Sequence, residues 1–244
     1  TITVTDNGIG MTEEEVQKYI CQIALSGALD FIQKYDGDSG ADSGIIGHFG
    51  LGFYSAFMVS SKVDVITHSY SGAPGVKMTC DDAGSYVIET DYADAPERGT
   101  SVVMHISDEG EEYLDASALR GVLDKYCAFM PVEIYFEEIG KEDADEDGEK
   151  KDEPVNDTHP LWLKNPSDCT DEEYKDFYHK VFHDYREPLF WIHLKADYPL
   201  NFRGILYFPK INSEFDSIEG QVKLYYNQVF VADNIKEVIP EYLL

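Results

Sequence analysis

Positively charged side chains are scarce in this sequence. Its 244 residues include 19 Lys and Arg against 47 Asp and Glu, which gives a formal net charge of −28. A chain this acidic repels polyanions over long distances. The charge balance therefore argues against nucleic acid and against an anionic membrane surface as partners.

Cysteines and long apolar runs are also few. The longest apolar run, Phe49 to Val59, is shorter than the ~20 residues that a membrane helix needs, and it contains two glycines. No signal peptide is visible. The cysteines form no CxxC pair and are too sparse for a secreted disulfide scaffold, so we expect a cytoplasmic protein. They are Cys21, Cys80, Cys127 and Cys169.

The sequence contains no GxxxxGK[ST] segment, which excludes a P-loop. It has two other glycine-rich motifs instead, Asp6-Asn7-Gly8-Ile9-Gly10-Met11 and Gly47-His48-Phe49-Gly50-Leu51-Gly52-Phe53. Either motif by itself is more typical of a tight turn or of close helix packing than of a ligand site. Together and in this order, they indicate one adenine-nucleotide pocket.

The first motif follows an alternating run, Thr1 to Thr5, that predicts a strand leading into a ligand loop. A buried Asp6 carboxylate only accepts hydrogen bonds, so it favours the exocyclic amine of adenine over the carbonyl of guanine. Gly8 and Gly10 lack a Cβ, so the backbone can turn tightly and approach a flat base.

The second motif precedes an apolar stretch, Phe53 to Val59, for which we predict a buried helix. A glycine turn of this kind directs backbone N–H groups at an anion, and the positive end of the helix dipole lies behind them. The motif is therefore a candidate for binding the phosphates of a nucleotide.

Several motifs occur in the order in which one ATPase superfamily carries them. The two glycine motifs, Ser26-Gly27 between them and Gly99-Thr100 after them resemble the nucleotide site of gyrase, MutL, histidine kinases and the ninety-kilodalton heat-shock chaperones. Longer stretches resemble the chaperones, their bacterial branch included. These stretches are Gly50 to Phe57, Asn165-Pro166 with Glu172-Glu173-Tyr174, and Ile239 to Leu243.

The resemblance implies a site for ATP or ADP with Mg²⁺, in which the Thr100 hydroxyl lies near the adenine alongside Asp6. It also implies an ATP-dependent chaperone that binds unfolded or partly folded client proteins and forms a homodimer through a region outside this sequence. The nucleotide-binding residues that it implies are Asp6, Gly8, Gly10, Met11, Ile20, Ser26, Gly27, Gly47, His48, Phe49, Gly50, Leu51, Gly52, Phe53 and Thr100.

No catalytic residue is expected within this sequence. In the family that it resembles, the glutamate that activates water and the asparagine that helps to hold magnesium lie upstream of the first strand here. The phosphate-sensing arginine lies downstream of the last residue. We therefore expect a fragment that cannot hydrolyse ATP without the rest of the protein.

Three residues depart from the family pattern: Tyr19 replaces an asparagine, Leu25 a lysine and His48 a glutamine. The missing lysine removes a phosphate contact. Phosphate binding would then depend on backbone N–H groups and on magnesium.

The first half of the sequence predicts alternating helical and extended segments. Thr12 and Glu15 have the spacing of a capping box, which predicts a helix with Val16, Tyr19, Ile20 and Ile23 on one face. The small, polar and glycine-rich segment Ser26 to Gly47 is either a mobile lid or a plain surface loop, and its position between two ligand motifs favours the lid.

Three β-branched runs predict antiparallel strands, and a helix is expected after them. The runs are Val63 to Thr67, Ser85 to Ile88 and Ser101 to Met104. Asp115 is the expected N-cap of the helix, and its apolar face is expected to pack against the sheet. That face consists of Leu119, Val122, Leu123, Tyr126 and Met130.

An acidic segment separates the two halves. Lys141 to Glu153 contains eight acids, three lysines and no aromatic or β-branched residue, which is typical of a solvated linker, with an interaction tail as the alternative. A second capping box, Thr170 and Glu173, predicts a helix followed by three strand-like runs. These are Leu189 to Leu194, Phe202 to Phe208 and Val222 to Val231.

The fold class that we predict is α+β. We expect a two-layer α/β sandwich at residues 1–139 that binds nucleotide and lacks its N-terminal part. An acidic linker at 140–158 then leads to the start of an α+β middle domain at 159–244. His179 and His183 stand four residues apart, but no HExxH pattern accompanies them, so we assign no metal.

Two other functional classes remain open. One is a related phosphotransfer or DNA-topology ATPase, and the other is a scaffold that keeps the fold and binds no nucleotide. The many aromatic residues are expected to form cores, with contact to client proteins as the alternative for exposed ones.

Overall fold

A computed structural model describes residues 1–22, 50–139, 153–198, 201–210 and 222–233 of the chain. These form two compact units, Thr1–Leu119 and Arg120–Leu244. Both units combine helices with antiparallel β-structure, which confirms the predicted α+β class. No helix in the described ranges is both long and apolar enough to cross a membrane.

The first unit is built on a five-stranded antiparallel sheet in the order β1-β5-β2-β3-β4. The three predicted runs lie in β2, β4 and β5, and the prediction missed β3. Its alternation of buried and half-buried residues is regular, so the period-2 pattern was present in the sequence. The strands are β1 (Ile2–Asp6), β2 (Ser60–His68), β3 (Val76–Asp81), β4 (Tyr86–Thr90) and β5 (Gly99–Ile106).

One face of this sheet carries an aliphatic core. Inward-pointing residues of β2 and β3 pack together with Val16 of helix α1 (Glu13–Tyr19), which is fully buried. The predicted capping box is confirmed, because Thr12 Oγ1 accepts from Glu15 N at 3.3 Å and Glu15 Oε2 accepts from Thr12 N at 2.8 Å. The core residues of the two strands are Val63, Val65, Val76, Met78 and Cys80.

The predicted buried helix after the second glycine motif is wrong in type and in burial. Phe53–Met58 is a short 3₁₀ helix in which only Ala56 is buried, and Met58 is 78% exposed. Strand β2 starts at Ser60, so the segment makes too few turns to bury more than one side of itself. The Ser60 hydroxyl closes it by donating to Ala56 O at 2.6 Å.

A second 3₁₀ segment, Asp108–Leu114, leads to helix α2 (Ala116–Val122). Asp115 caps α2 as predicted, because its Oδ1 accepts from Ser117 N and Ala118 N. The expected apolar face is wrong, because none of its residues is buried. The helix widens into a π-helical turn, Leu123–Cys127, which shifts the phase by one residue and buries Phe129 in place of Met130.

The second unit is organised around helix α3 (Asp171–Phe182). Its predicted capping box is confirmed, with Glu173 N donating to Thr170 Oγ1 at 3.3 Å and Thr170 N donating to Glu173 Oε2 at 2.8 Å. Short 3₁₀ turns, Leu161–Leu163 and Pro166–Asp168, precede the helix. The core is largely aromatic, as expected from the composition. Its buried residues are Phe129, Leu161, Tyr174, Phe177 and Val181.

Two hairpins complete the described part of the second unit. Strands β6 (Pro188–Ala196) and β7 (Phe202–Pro209) pair with each other and confirm two of the predicted runs. The third run is wrong as a single strand, because β8 (Lys223–Tyr226) and β9 (Val229–Asp233) form a hairpin. Asn227 and Gln228 both have positive φ, 48° and 63°, which is the conformation of a tight hairpin turn.

Most of the predicted acidic linker, and the whole predicted lid from Ser26 to Gly47, lie outside the described residues. Just after the linker's acidic run, Asn156 is buried and its side chain bonds to the backbone of Met130, Val132 and Ile134 at 2.7–2.9 Å. The domain bounds at 139 and 158 stay a prediction.

Candidate nucleotide site

Three polar residues lie side by side at one end of the first unit's sheet. Asp6 ends β1 and is opposite Thr100 of β5, which is itself opposite Thr67 of β2. Residues that are directly opposite in an antiparallel sheet share a face. Asp6, Thr100 and Thr67 therefore form one polar row, on the same face as the aliphatic core.

Thr67 is the buried centre of this row. Its Oγ1 lies 2.9 Å from Thr100 Oγ1, accepts from Met11 N at 2.9 Å and lies 3.1 Å from Gly99 O. The residue has no exposed surface. Sequence reasoning missed Thr67, although a hydroxyl in phase with the inward-pointing Val63 and Val65 was the signal.

The loop from Asn7 to Met11 is held against the sheet by backbone contacts. Gly8 N donates to Asp6 Oδ1 at 2.8 Å, and Tyr70 N donates to Ile9 O at 2.8 Å. Gly10 has φ 63°, and a Cβ there would overlap His68 O. The loop therefore requires glycine at position 10, because it lies against the backbone of β2. The predicted approach of this glycine to a flat base stays a prediction.

Asp6 is exposed, which corrects the prediction of a buried carboxylate. The reason is its place in the sheet, since β1 is the edge strand and pairs only with β5 among the described strands. Gly8 N occupies Oδ1, whereas Oδ2 has no hydrogen bond to any residue that the structure describes. No described residue therefore prevents this oxygen from accepting a hydrogen bond from a ligand.

The described part of the second motif, residues 50–53, lies next to the core. Met11, Ile20 and Phe53 all pack against the aliphatic cluster, and Tyr54 OH donates to Ile20 O at 2.7 Å. Gly50 has φ 63°. Leu51 and Gly52 are exposed. The structure thus brings the end of α1 and the end of the motif together. Five predicted site residues fall outside the described ranges, namely Ser26, Gly27, Gly47, His48 and Phe49.

A cation that sequence reasoning missed lies beside the loop. Arg98, just before β5, donates from Nε to Asn7 O at 3.1 Å, and together with Asn7 and Glu97 it borders an open depression. Its place two residues before Thr100 was the available signal. In a chain of net charge −28, it supplies local positive charge that an anionic ligand needs.

Comparison with known proteins decides the family. Residues 1–106 match the model for "Histidine kinase-, DNA gyrase B-, and HSP90-like ATPase", and residues 137–244 match the model for "Hsp90 protein". The chain belongs to the Hsp90 family. The residues of the polar row all lie in the stretch that matches the ATPase model.

Relatives within the Hsp90 family are similar over the whole chain. The chaperone protein HtpG of Porphyromonas gingivalis is 51% identical over 248 aligned residues, and those of Bacteroides fragilis and Idiomarina loihiensis are 49% and 39% identical. The matches cover all of this chain but only 35%, 35% and 40% of those relatives. The chain therefore spans about a third of the length of the curated relatives it matches.

The described residues bring together a carboxylate oxygen that has no hydrogen bond to another described residue, a glycine loop and an arginine. Within the described ranges, no group of three or more His, Cys, Asp or Glu side chains is placed to hold a metal ion. His183, the second histidine of the pair with His179, ends α3 in the left-handed conformation, with φ 53°.

Proposed function

We propose that this chain carries the adenine-nucleotide site and the start of the middle region of an ATP-dependent chaperone. The observation that carries the proposal is the polar row of Asp6, Thr100 and Thr67, with the Asn7–Met11 loop bonded to its buried end. An exposed acid, a glycine loop and a sheet end are common features separately. Their alignment in one register, within the segment that matches an ATPase family, favours a nucleotide site.

Asp6 selects adenine in this proposal. Its Oδ2 accepts from the exocyclic amine, while the Gly8 N–H holds Oδ1 and so fixes the direction of the carboxylate. Guanine presents a carbonyl oxygen at the same position and is rejected, because two acceptors would face each other. Gly10 and Met11 lie alongside the base. The Thr100 hydroxyl contributes to binding of the base through its contact with Thr67 or through a bridging water.

The phosphates are bound by backbone N–H groups of the Gly47 to Phe53 segment together with Mg²⁺. Bound magnesium neutralises phosphate charge, which matters in a chain as acidic as this one. Ser26 to Gly47 closes over the nucleotide as a lid and couples its occupancy to handling of the client.

Hydrolysis and dimerisation belong to the intact protein. The matched relatives are about three times as long as this chain. The clients are unfolded or partly folded proteins, and the protein acts in the cytoplasm. The match of residues 137–244 to the Hsp90 model favours this function over a phosphotransfer or DNA-topology ATPase.

Calorimetric titration of magnesium-ADP and magnesium-GDP tests the proposal. The protein is this chain extended upstream by its natural sequence, because the family places further polar contacts there. We expect heat with ADP, none with GDP, and none with ADP after Asp6→Asn.

The matched control is Asp94→Asn, which makes the same change of charge at an exposed residue of the same unit. It should bind ADP as the unchanged protein does. A folded sample that gives no heat with ADP would contradict the proposal and favour a nucleotide-free scaffold.

A further inference from the structure

A small basic cleft lies in the second unit, between the turn that precedes α3 and the β6–β7 hairpin. Its volume is about 160 Å³. Three of its lining residues carry permanent positive charge. In a chain with 47 acids and 19 bases, no Asp or Glu is among the described residues that line it. The polar and aromatic lining comprises Trp162, Lys164, Asn165, His193, Lys195 and Arg203.

Lys195 and Arg203 are the unusual members of this lining. They are cross-strand partners in the β6–β7 register, so two like charges stand directly opposite each other on one face. Such an arrangement is destabilising in a sheet. Neither side chain forms an ion pair with a residue in the described part of the chain, so those residues leave this charge unbalanced.

The walls of the cleft are held firmly. The carbonyl of Trp162 can only accept, so His193 Nε2, 3.3 Å away, carries the ring proton, and Nδ1 accepts from Tyr174 OH at 2.8 Å. Burial is the main reason that the pKa of Tyr174 is raised, to about 12, which keeps this hydroxyl protonated. The Trp162 ring stacks on Tyr225 in the aromatic core.

The cleft also offers a neutral donor. Asn165 Oδ1 accepts from Ser167 N at 3.3 Å, which leaves its NH₂ group without a hydrogen bond to any described residue. Lys164 is different, because Glu173 holds its ammonium at 2.6 Å. The available donors are therefore an arginine fork, a lysine ammonium and an amide, which suit an oxyanion.

We propose that this cleft binds a phosphate group, free or carried by a phosphorylated side chain. Two cations that form no ion pair with any described residue match the charge of about −1.5 to −2 that a phosphomonoester has near pH 7. The cleft is smaller than the pockets of about 300–1,000 Å³ that enclose whole small-molecule ligands, so the proposed ligand group is the phosphate itself. The site shares no residue with the proposed adenine site and belongs to the other unit, so either proposal can fail without the other.

The test is an NMR titration of the 244-residue chain with inorganic phosphate at constant ionic strength. The chain has two tryptophans, so it gives two indole N–H signals, which a Trp191→Phe variant assigns. We expect the Trp162 signal to shift and saturate while the Trp191 signal stays in place. A shift that grows linearly without saturation would overturn the proposal.

Charge variants then identify the binding groups. Arg203→Gln and Lys195→Gln should each weaken phosphate binding by about tenfold or more, as expected for the loss of a hydrogen bond to a charged group. Lys210→Gln removes one positive charge from an exposed residue that does not line the cleft, and should change the affinity less than twofold. Equal weakening in all three variants would overturn the assignment.

Two further ligands define the chemistry of the site. O-phosphoserine should saturate the same Trp162 signal if the cleft accepts a phosphorylated side chain, whereas saturation by phosphate alone limits it to the free ion. Both results support a phosphate site. Acetate that binds as tightly as phosphate would overturn it, because an anion with a single charge should bind two cations more weakly than phosphate does.

Discussion

The two units are stabilised in different ways. The first has an aliphatic core between strands and a seven-residue helix that buries only Val16, and its ligand loop depends on hydrogen bonds to Thr67 and to backbone. The second has a twelve-residue helix with four buried residues, and three of them, Tyr174, Phe177 and Val181, belong to a largely aromatic cluster. This contrast teaches that polar contacts set the geometry of the proposed nucleotide site, whereas ring packing dominates the second unit.

Removal of a central ring should have the largest effect. Phe177 is buried, with its ring centroid 5.6 Å from those of Phe129 and Trp162. Phe177→Ala should lower the free energy of unfolding of the second unit by about 3–5 kcal/mol. Tryptophan fluorescence measures this during denaturant unfolding, because both tryptophans lie in that unit.

Phe208→Ala is the matched control for Phe177→Ala. Phe208 stacks on Phe190 with centroids 4.2 Å apart, but it is 37% exposed, so its removal should cost about 0.5–1.5 kcal/mol. Equal losses in the two variants would contradict the idea that stability is concentrated in the buried cluster.

In the first unit, the largest loss is expected when a Cβ is added to the ligand loop. Gly10→Ala forces an alanine into positive φ and against His68 O, which together should cost about 2–4 kcal/mol. Far-UV circular dichroism during thermal unfolding measures the change. ADP binding by the upstream-extended protein should be lost as well.

Gly84→Ala separates the cost of positive φ from the cost of the overlap with His68 O. Gly84 also has positive φ, 84°, but a Cβ there would meet nothing within 4 Å. It should cost only the conformational part, about 1–2 kcal/mol, and leave ADP binding intact. If the two variants lose the same amount of stability, the overlap of the added Cβ with His68 O contributes nothing to the loss at position 10.

Thr67→Val tests the buried polar centre. Valine keeps the shape but leaves Met11 N without its partner, so we expect a loss of about 1–3 kcal/mol and weaker ADP binding. Thr5→Val, which removes an exposed hydroxyl 3.0 Å from Ser101 Oγ, should change stability by less than about 0.5 kcal/mol. Calorimetric unfolding of both variants gives the comparison.

Asp64 should make the first unit sensitive to acid. Burial raises its pKa, but hydrogen bonds from His105 at 2.9 Å and Thr79 at 2.8 Å, with the charges of Lys62 and Lys77, outweigh burial and lower it. Because the folded-state pKa is lowered, the stabilisation is complete above the ordinary carboxyl range. It is lost as the pH falls through the lowered value.

Asp64→Asn should therefore cost about 1 kcal/mol at neutral pH and make the loss of stability below about pH 4 less steep. Stability measured from pH 7 to pH 2 gives both quantities, with the exposed Asp94→Asn as control. A parallel downward shift of the whole curve would show that the carboxylate charge plays no part.

The smallest effect should be a gain. Arg203→Gln removes the repulsion between the facing charges of β6 and β7, so it should stabilise the second unit by about 0.2–1 kcal/mol. Denaturant unfolding followed by tryptophan fluorescence measures it. A loss of stability would mean that Arg203 supports the fold instead of a ligand.

Local signals in the sequence predicted local structure well. The two capping boxes, Thr12 with Glu15 and Thr170 with Glu173, act within one helical turn, and both helices begin where predicted. Both boxes depend on residues that are neighbours in the chain. The motif indicated that position 10 needs glycine, but the group that a Cβ would meet there, His68 O, is distant in the sequence.

Features that depend on distant contacts were predicted less well. The burial of Asp6 could not be judged from its own motif, since the place of β1 at the sheet edge is set by pairing with β5. Thr67 gained its role from contacts with Thr100 and with Met11 N, both of which are distant in the sequence. The π-helical turn changed the phase of the segment before Phe129, and no glycine or proline lies within Leu123–Cys127 itself.

A crystal structure of the upstream-extended protein with magnesium-ADP tests the central claim most directly. Our account predicts that the exocyclic amine of adenine lies within hydrogen-bond distance, about 2.7–3.2 Å, of Asp6 Oδ2, with the base against Gly10 and the phosphates at the Gly47 to Phe53 segment. A nucleotide bound elsewhere, or an adenine with no contact to Asp6, would contradict it.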